Sequence, residues 1–304
     1  MDIKLILLKI YVIKIAQLLY QIMFNKIINF LFLIRILNVL TGMGAVYLAA
    51  KMINFDILLL DIYNVILVIG FTMAFGNIIN DYQDVVTDKI AHIHRPLVIE
   101  AIQKPYIKLL LVILLVVIIL LSFTLTVNTN LLLYLCILPA LIFYTRYFKP
   151  IPILGNIIIA LLLSSIFIFT EYYITNDFKI LLFPTVLIFG LSLIREMLKD
   201  IQDYSGDRIA KITTFPVMIG KNNAINCSII CILIFGILLI LPYYYSYFNI
   251  NYLYSIIILI EIPLLIMVFL LLNNPSNNSF KYISYLTKCM SIVGLLMIFN
   301  LYIG

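Results

Sequence analysis

Six of the chain's 14 acidic residues fall in two short clusters, Asp81-Tyr-Gln-Asp84-Val-Val-Thr-Asp88 and Asp200-Ile-Gln-Asp203-Tyr-Ser-Gly-Asp207. Both clusters space their aspartates by three residues and then four, which on a helix lines three carboxylates along one face within about two turns. Carboxylates crowded in this way raise one another's pKa and do not stay ionised together without partners. A divalent cation supplies the partner. Mg2+ favours one or two protein carboxylates, several waters and phosphate oxygens, so two facing clusters make a receptor for a diphosphate held through metal ions. Arg95 follows the first cluster, Lys199 and Arg208 flank the second, and Lys149 lies between them in sequence. Such side chains are suited to clamp the phosphate oxygens that a metal leaves free. The bland alternative is that both clusters are solvated loop charges, but that reading leaves their identical spacing to coincidence.

The elements that must position these clusters are membrane helices. The chain is 64% hydrophobic and 11% charged, with a mean hydropathy of +1.16, far from a soluble domain. Apolar stretches of about 20 residues cross a hydrocarbon core as helix, and nine are expected: 28–50, 57–79, 106–127, 129–147, 154–173, 180–199, 222–244, 250–272 and 282–303. The predicted fold is therefore an all-α polytopic membrane protein. With the N-terminus on the cytoplasmic side, only Lys51 and Lys179 of the 20 Lys and Arg residues fall on the outer side. Cytoplasmic loops collect Lys and Arg, so both acidic clusters are expected to face the cytoplasm, in a cell or inner membrane. The net charge of +6 is this same signal and implies no nucleic-acid partner.

Residues 1–27 form an amphipathic N-terminal segment in this reading. Lys4, Lys9, Lys14, Gln17, Gln21 and Lys26 make a polar stripe that suits a helix lying on the membrane surface. Residues 28–304 make one membrane domain, built of two related halves with one acidic loop each. Cys136, Cys227, Cys231 and Cys289 fall inside spans and read as packing residues. His92 and His94 read as loop residues beside the first cluster, since a zinc site needs more ligands. Pro139, Pro184, Pro242 and Pro263 are placed to bend spans.

Asn77-x-x-Asn80-Asp81-x-x-Asp84-x-x-x-Asp88 with Arg95-Pro96 resembles the first signature of the UbiA family of intramembrane prenyltransferases. Arg195-Glu196-Met-Leu-Lys199-Asp200-Ile-Gln-Asp203-Tyr-Ser-Gly206-Asp207-Arg208, continuing through Lys211, Thr213-Thr214, Pro216 and Gly220, resembles the second. The likeness extends to Arg35-x-x-Asn38, Tyr144, Lys149, Gly155 and Asn156, and covers nearly the whole chain after residue 28. It implies a nine-helix bundle around a central cavity, capped by the acidic loops, that moves a prenyl chain from its diphosphate to a lipid-soluble acceptor. Asp81, Asp84, Asp88, Asp200, Asp203 and Asp207 would hold Mg2+, with Asp81, Asp84, Asp203 and Asp207 central to catalysis. Arg35, Asn38, Asn77, Asn80, Arg95, Tyr144, Lys149, Lys199 and Arg208 would bind substrate.

The second signature is most similar to the branch that adds a geranylgeranyl group to geranylgeranylglyceryl phosphate. Quinone-forming branches, which alkylate hydroxybenzoate or dihydroxynaphthoate, usually lack the Arg-Glu pair before the lysine. Three departures stand out. Ile36 follows Arg35 where relatives often have Pro, Ile99-Glu100 replaces small residues, and four residues separate Tyr144 from Lys149 where some members have three. A transporter is the reading from another class; it predicts ionisable groups at mid-span, and apart from Glu261 the spans have almost none.

Overall fold

The structure, a computed structural model, describes residues 20–21, 23–91 and 93–303. Most of the expected N-terminal segment and His92 lie outside them. Every regular element among the described residues is helical. This follows from the composition, because a backbone in hydrocarbon must satisfy its own N–H and C=O groups.

The chain runs through α1 (Met23–Leu33), α2 (Ile36–Ile53), α3 (Leu59–Gln83), α4 (Val85–Ala91) and α5 (Lys104–Ser122). Next come α6 (Val127–Phe148), α7 (Leu154–Thr175), α8 (Leu182–Ile209), α9 (Phe215–Ile219) and α10 (Lys221–Tyr244). The last are α11 (Ile250–Asn273) and α12 (Asn277–Ile303). Eight of the described helices are long and apolar enough to cross a membrane: α2, α3, α5, α6, α7, α10, α11 and α12. The expected span 180–199 falls on α8, which is outside that set because Arg195, Glu196 and Lys199 interrupt its apolar run. At 1.5 Å per residue its 28 residues reach about 42 Å, well beyond a hydrocarbon core of about 30 Å. Its acidic C-terminal turns therefore have length to spare beyond the apolar layer.

Helix α8 is the hub, packing against α7, α10, α12, α9 and α4. Helices α2, α3 and α7 pack on one another, and α12 returns to touch α2, closing the bundle. Leu187, Leu191 and Ile194 of α8 are buried with Phe167 and Phe169 of α7 and Ile260 and Met267 of α11. Close approach of α8 to α10 depends on Gly190, where an added Cβ would stand 2.0 Å from the Phe235 ring. Gly236 similarly gives space to Glu261, whose carboxylate would lie 2.7 Å from a Cβ. Glu261 Oε1 is buried without a hydrogen bond, so the mid-span carboxyl is housed by a missing side chain, not by a polar partner.

Two expected regularities are broken. The first span is not continuous: it divides at Ile34–Arg35, where Arg35 takes a left-handed conformation (φ 52°, ψ 58°). The first cluster is not on one helix either, because the chain bends at Asp84 (φ −87°, ψ 0°) between α3 and α4. A cavity of ≈ 730 Å³ lined by Tyr243, Tyr244, Ser246, Tyr247, Phe248, Asn249 and Leu301 opens by the α10–α11 turn, one helix length from the aspartates.

Candidate active site

Helix α4, which carries Asp88, packs against α8, which carries the second cluster. Asp81 sits on the last turn of α3 and is 3% exposed. Its Oδ1 accepts from Arg35 Nη2 at 2.7 Å and Arg95 Nη1 at 3.1 Å. The same Arg95 nitrogen donates to Asp88 Oδ2 at 2.6 Å, so one guanidinium joins the two ends of the bent cluster. The turn at Ile34–Arg35 is what aims Arg35 inward. Asn77 Nδ2 holds that turn by donating to the Ile34 carbonyl at 2.9 Å.

Helix α6 supplies the next layer. Its last part, Tyr144–Phe148, is a π-helix, in which the Lys149 N–H donates to the Tyr144 carbonyl at 2.8 Å. An i to i+5 bond absorbs one extra residue per turn. The fourth residue between Tyr144 and Lys149 is thereby accommodated without losing the site: Lys149 Nζ donates to Asp84 Oδ2 at 2.8 Å. Tyr144 lies within electrostatic range of Asp84, Asp200 and Asp207, and so stands between the clusters. Thr145 Oγ1 donates to Asn80 Oδ1 at 3.3 Å.

The second cluster does ride one helix. Asp200 accepts from Asn156 Nδ2 of α7 at 2.8 Å, and Glu196 accepts from Arg195 at 2.8 Å and from Lys199 at 3.5 Å. Asp203 and Asp207 follow on the last turns of α8, both partly buried. Arg208 is exposed on the final turn, and Asn38 is exposed one turn after Arg35, so neither enters the ion-pair network described. Thr145, Asn156 and Glu196 were not among the expected site residues. Neutral polar residues within apolar spans carry no periodic signal, and their roles become visible through their partners.

Electrostatics mark the end of the bundle where these groups gather. Burial pushes the Asp88 carboxyl up from 3.8 to about 6, although Arg95 opposes the shift. Burial also raises Asp207, and the Asp203 charge beside it adds to the effect. The donors are hard carboxylate and amide oxygens, and the charge they crowd together is what a divalent cation offsets. Among the described residues, no three His, Cys, Asp or Glu side chains are grouped closely enough to hold a metal ion by themselves. Magnesium does not need one, since it keeps waters and takes phosphate oxygens from its substrate. The donor set fits a metal that arrives with a diphosphate.

A bundle of apolar, membrane-length helices that carries two aspartate clusters among Arg and Lys side chains is the pattern of an intramembrane prenyltransferase. The chain belongs to the UbiA prenyltransferase family, whose model matches residues 38–291. It is similar to the digeranylgeranylglyceryl phosphate synthase of Methanococcus aeolicus, 32% identical over 292 residues covering 90% of this chain and 99% of that one. The enzyme of the same name from Methanosphaera stadtmanae is 31% identical over 245 residues, 78% of this chain and 86% of that one. A solved digeranylgeranylglyceryl phosphate synthase structure superposes with a TM-score of 0.70 at 29% identity, covering 91% of this chain and 99% of that one. A UbiA homologue from Archaeoglobus fulgidus bound to DMAPP and Mg2+ shares the fold, with a TM-score of 0.65, 21% identity and coverage of 89% and 99%.

Proposed function

We propose that this prenyltransferase moves a geranylgeranyl group from its diphosphate to geranylgeranylglyceryl phosphate, forming a second ether bond, with Mg2+ at the acidic clusters. The observation that supports the reading is the packing of α4 on α8, with Arg35, Arg95 and Lys149 bonded to Asp81, Asp84 and Asp88 and Tyr144 within electrostatic range of both clusters. Relatives that carry the synthase name over nearly their full length support the acceptor. The Archaeoglobus homologue bound to DMAPP and Mg2+ supports the donor and the metal.

In this reading Asp81, Asp84 and Asp88 hold one side of the metal-diphosphate and Asp200, Asp203 and Asp207 the other. Bound Mg2+ supplies Lewis-acid neutralisation of the leaving diphosphate. Lys149 and Arg95, already within hydrogen-bond distance of the aspartates, donate to diphosphate oxygens as charge builds on them during C–O cleavage. Tyr144 lies between the clusters, where its ring can face the allylic carbon as positive charge develops. Lipid and packed helices exclude water, which would otherwise capture that carbon. The acceptor hydroxyl attacks the allylic carbon, and its proton leaves to a carboxylate or water at the polar end. The protein is a multi-pass membrane protein; we place its acidic loops on the cytoplasmic side, residues 1–27 on the membrane surface, and residues 28–304 in one catalytic domain.

The test is to offer the purified protein in vesicles labelled geranylgeranyl diphosphate with Mg2+ and three acceptors: the glyceryl ether phosphate, hydroxybenzoate and dihydroxynaphthoate. Product is expected with the glyceryl phosphate. Turnover confined to an aromatic ring would overturn the acceptor assignment.

A further inference from the structure

Around the aspartates, Arg35, Arg95 and Lys149 are each bonded to a carboxylate: Arg35 to Asp81, Arg95 to Asp81 and Asp88, Lys149 to Asp84. Further back along α8, Glu196, 7% exposed, is one carboxylate facing both Arg195 at 2.8 Å and Lys199 at 3.5 Å. Lys288 of α12, an exposed residue, comes within electrostatic range of Arg195, Arg35 and Glu196. Helix α12 brings it there by packing on both α8 and α2. Lys199 also feels Asp200 and Asp203, which ties this group to the edge of the metal site. Arg195, Lys199 and Lys288 thus gather around Glu196, with Lys199 and Lys288 exposed and open to an incoming anion.

Arg195 adds a second observation. Its Nη1 is committed to Glu196, while its Nε is buried and makes no hydrogen bond. A buried guanidinium N–H without an acceptor costs free energy, and an oxyanion placed against it recovers that cost. Arg195 precedes Asp200 by five residues and Asp203 by eight on one helix, about 7.5 and 12 Å along its axis, so an anion seated against Arg195 lies a turn or more behind the aspartates.

We propose that Arg195, Lys199 and Lys288 form a second anion subsite that binds the phosphate monoester of the acceptor. This rests on the prenyl-transfer reading above and specifies how that site recognises its second substrate. A phosphate monoester carries a charge of about −1.5 to −2 at neutral pH, which gathered Arg and Lys side chains are suited to hold. In a glyceryl phosphate the attacking hydroxyl and the phosphate are on neighbouring carbons, so fixing the phosphate orients the hydroxyl toward the allylic carbon. Arg35 stands between the two subsites, bonded to Asp81 and within range of Glu196 and Lys199.

The test uses the full chain in vesicles with geranylgeranyl diphosphate, Mg2+ and two acceptors, the glyceryl ether phosphate and the same ether lacking the phosphate. Lys288→Met should raise KM for the phosphorylated acceptor about tenfold while KM for the prenyl diphosphate moves less than about twofold. It should also lower the preference for the phosphorylated acceptor over the unphosphorylated one, and Lys288→Arg should restore both. Wild-type transfer to the glyceryl phosphate with Lys288→Met unchanged, or with both substrates' KM raised alike, overturns the subsite alone. A wild-type enzyme that prenylates only aromatic rings overturns the acceptor reading and the subsite with it.

Discussion

Asp81 receives two guanidinium groups on one oxygen while almost fully buried. A carboxylate in that position is tolerated because its partners are charged and bonded to it; removing one partner of a buried pair leaves an uncompensated charge. The same logic makes Lys149 more than an inner-end lysine, since its Nζ meets Asp84 at 2.8 Å while Tyr144 beside it reaches both clusters. Lys149→Met is expected to cut prenyl transfer by about 100-fold, because a donor to developing phosphate charge is lost. Side-by-side kinetics and thermal midpoints check this; full turnover in the variant would remove Lys149 from the site. The aspartates, Arg35, Arg95 and Lys149 were legible in the sequence because charge is rare in an apolar chain. Asn156 entered only through the family likeness, without a role, and Thr145 not at all, since nothing in a sequence distinguishes an amide that holds Asp200 from one that merely fills an interior position.

The element that delivers the second cluster, α8, is anchored at its opposite end. Glu171 of α7, buried at 1% exposed, accepts from the backbone N–H groups of Lys179, Ile180 and Leu181 at 2.7, 2.6 and 2.7 Å. A carboxylate gathered onto the donors of the turn just ahead of a helix fixes that turn and complements the helix dipole. Glu171→Gln replaces one acceptor oxygen with a donor and is expected to cost about 1–3 kcal/mol. The readout is a lower thermal midpoint in detergent, and an unchanged midpoint would mean that the three bonds contribute little. Span positions followed from hydropathy, but the break at Ile34–Arg35 did not, because no Gly or Pro marks it. A non-glycine residue held left-handed costs about 1–3 kcal/mol. Here the cost is set against the Arg35–Asp81 and Asn77–Ile34 bonds, partners 43 to 46 residues away that local sequence cannot reveal.

At the scale of the whole molecule, lipid made the architecture readable: long apolar runs must be helices, and eight of the described ones are long and apolar enough to cross. The exception, α8, is also the element that carries Arg195, Glu196 and the second aspartate cluster. The charge that disqualifies it as an ordinary span lies in the segment to which we assign part of the site. The bundle thus places its least lipid-like helix at its centre, sheltered by α7, α10 and α12, with aspartates at the end that meets α4. If those two clusters jointly hold a metal-bound prenyl diphosphate, neither can act alone. The direct measurement is transfer of labelled geranylgeranyl groups in vesicles with Mg2+ by the wild type, Asp84→Asn and Asp203→Asn, each checked for an unaltered thermal midpoint. Both variants are predicted to lose at least about 100-fold in transfer; wild-type transfer by either folded variant would contradict a shared metal-diphosphate site.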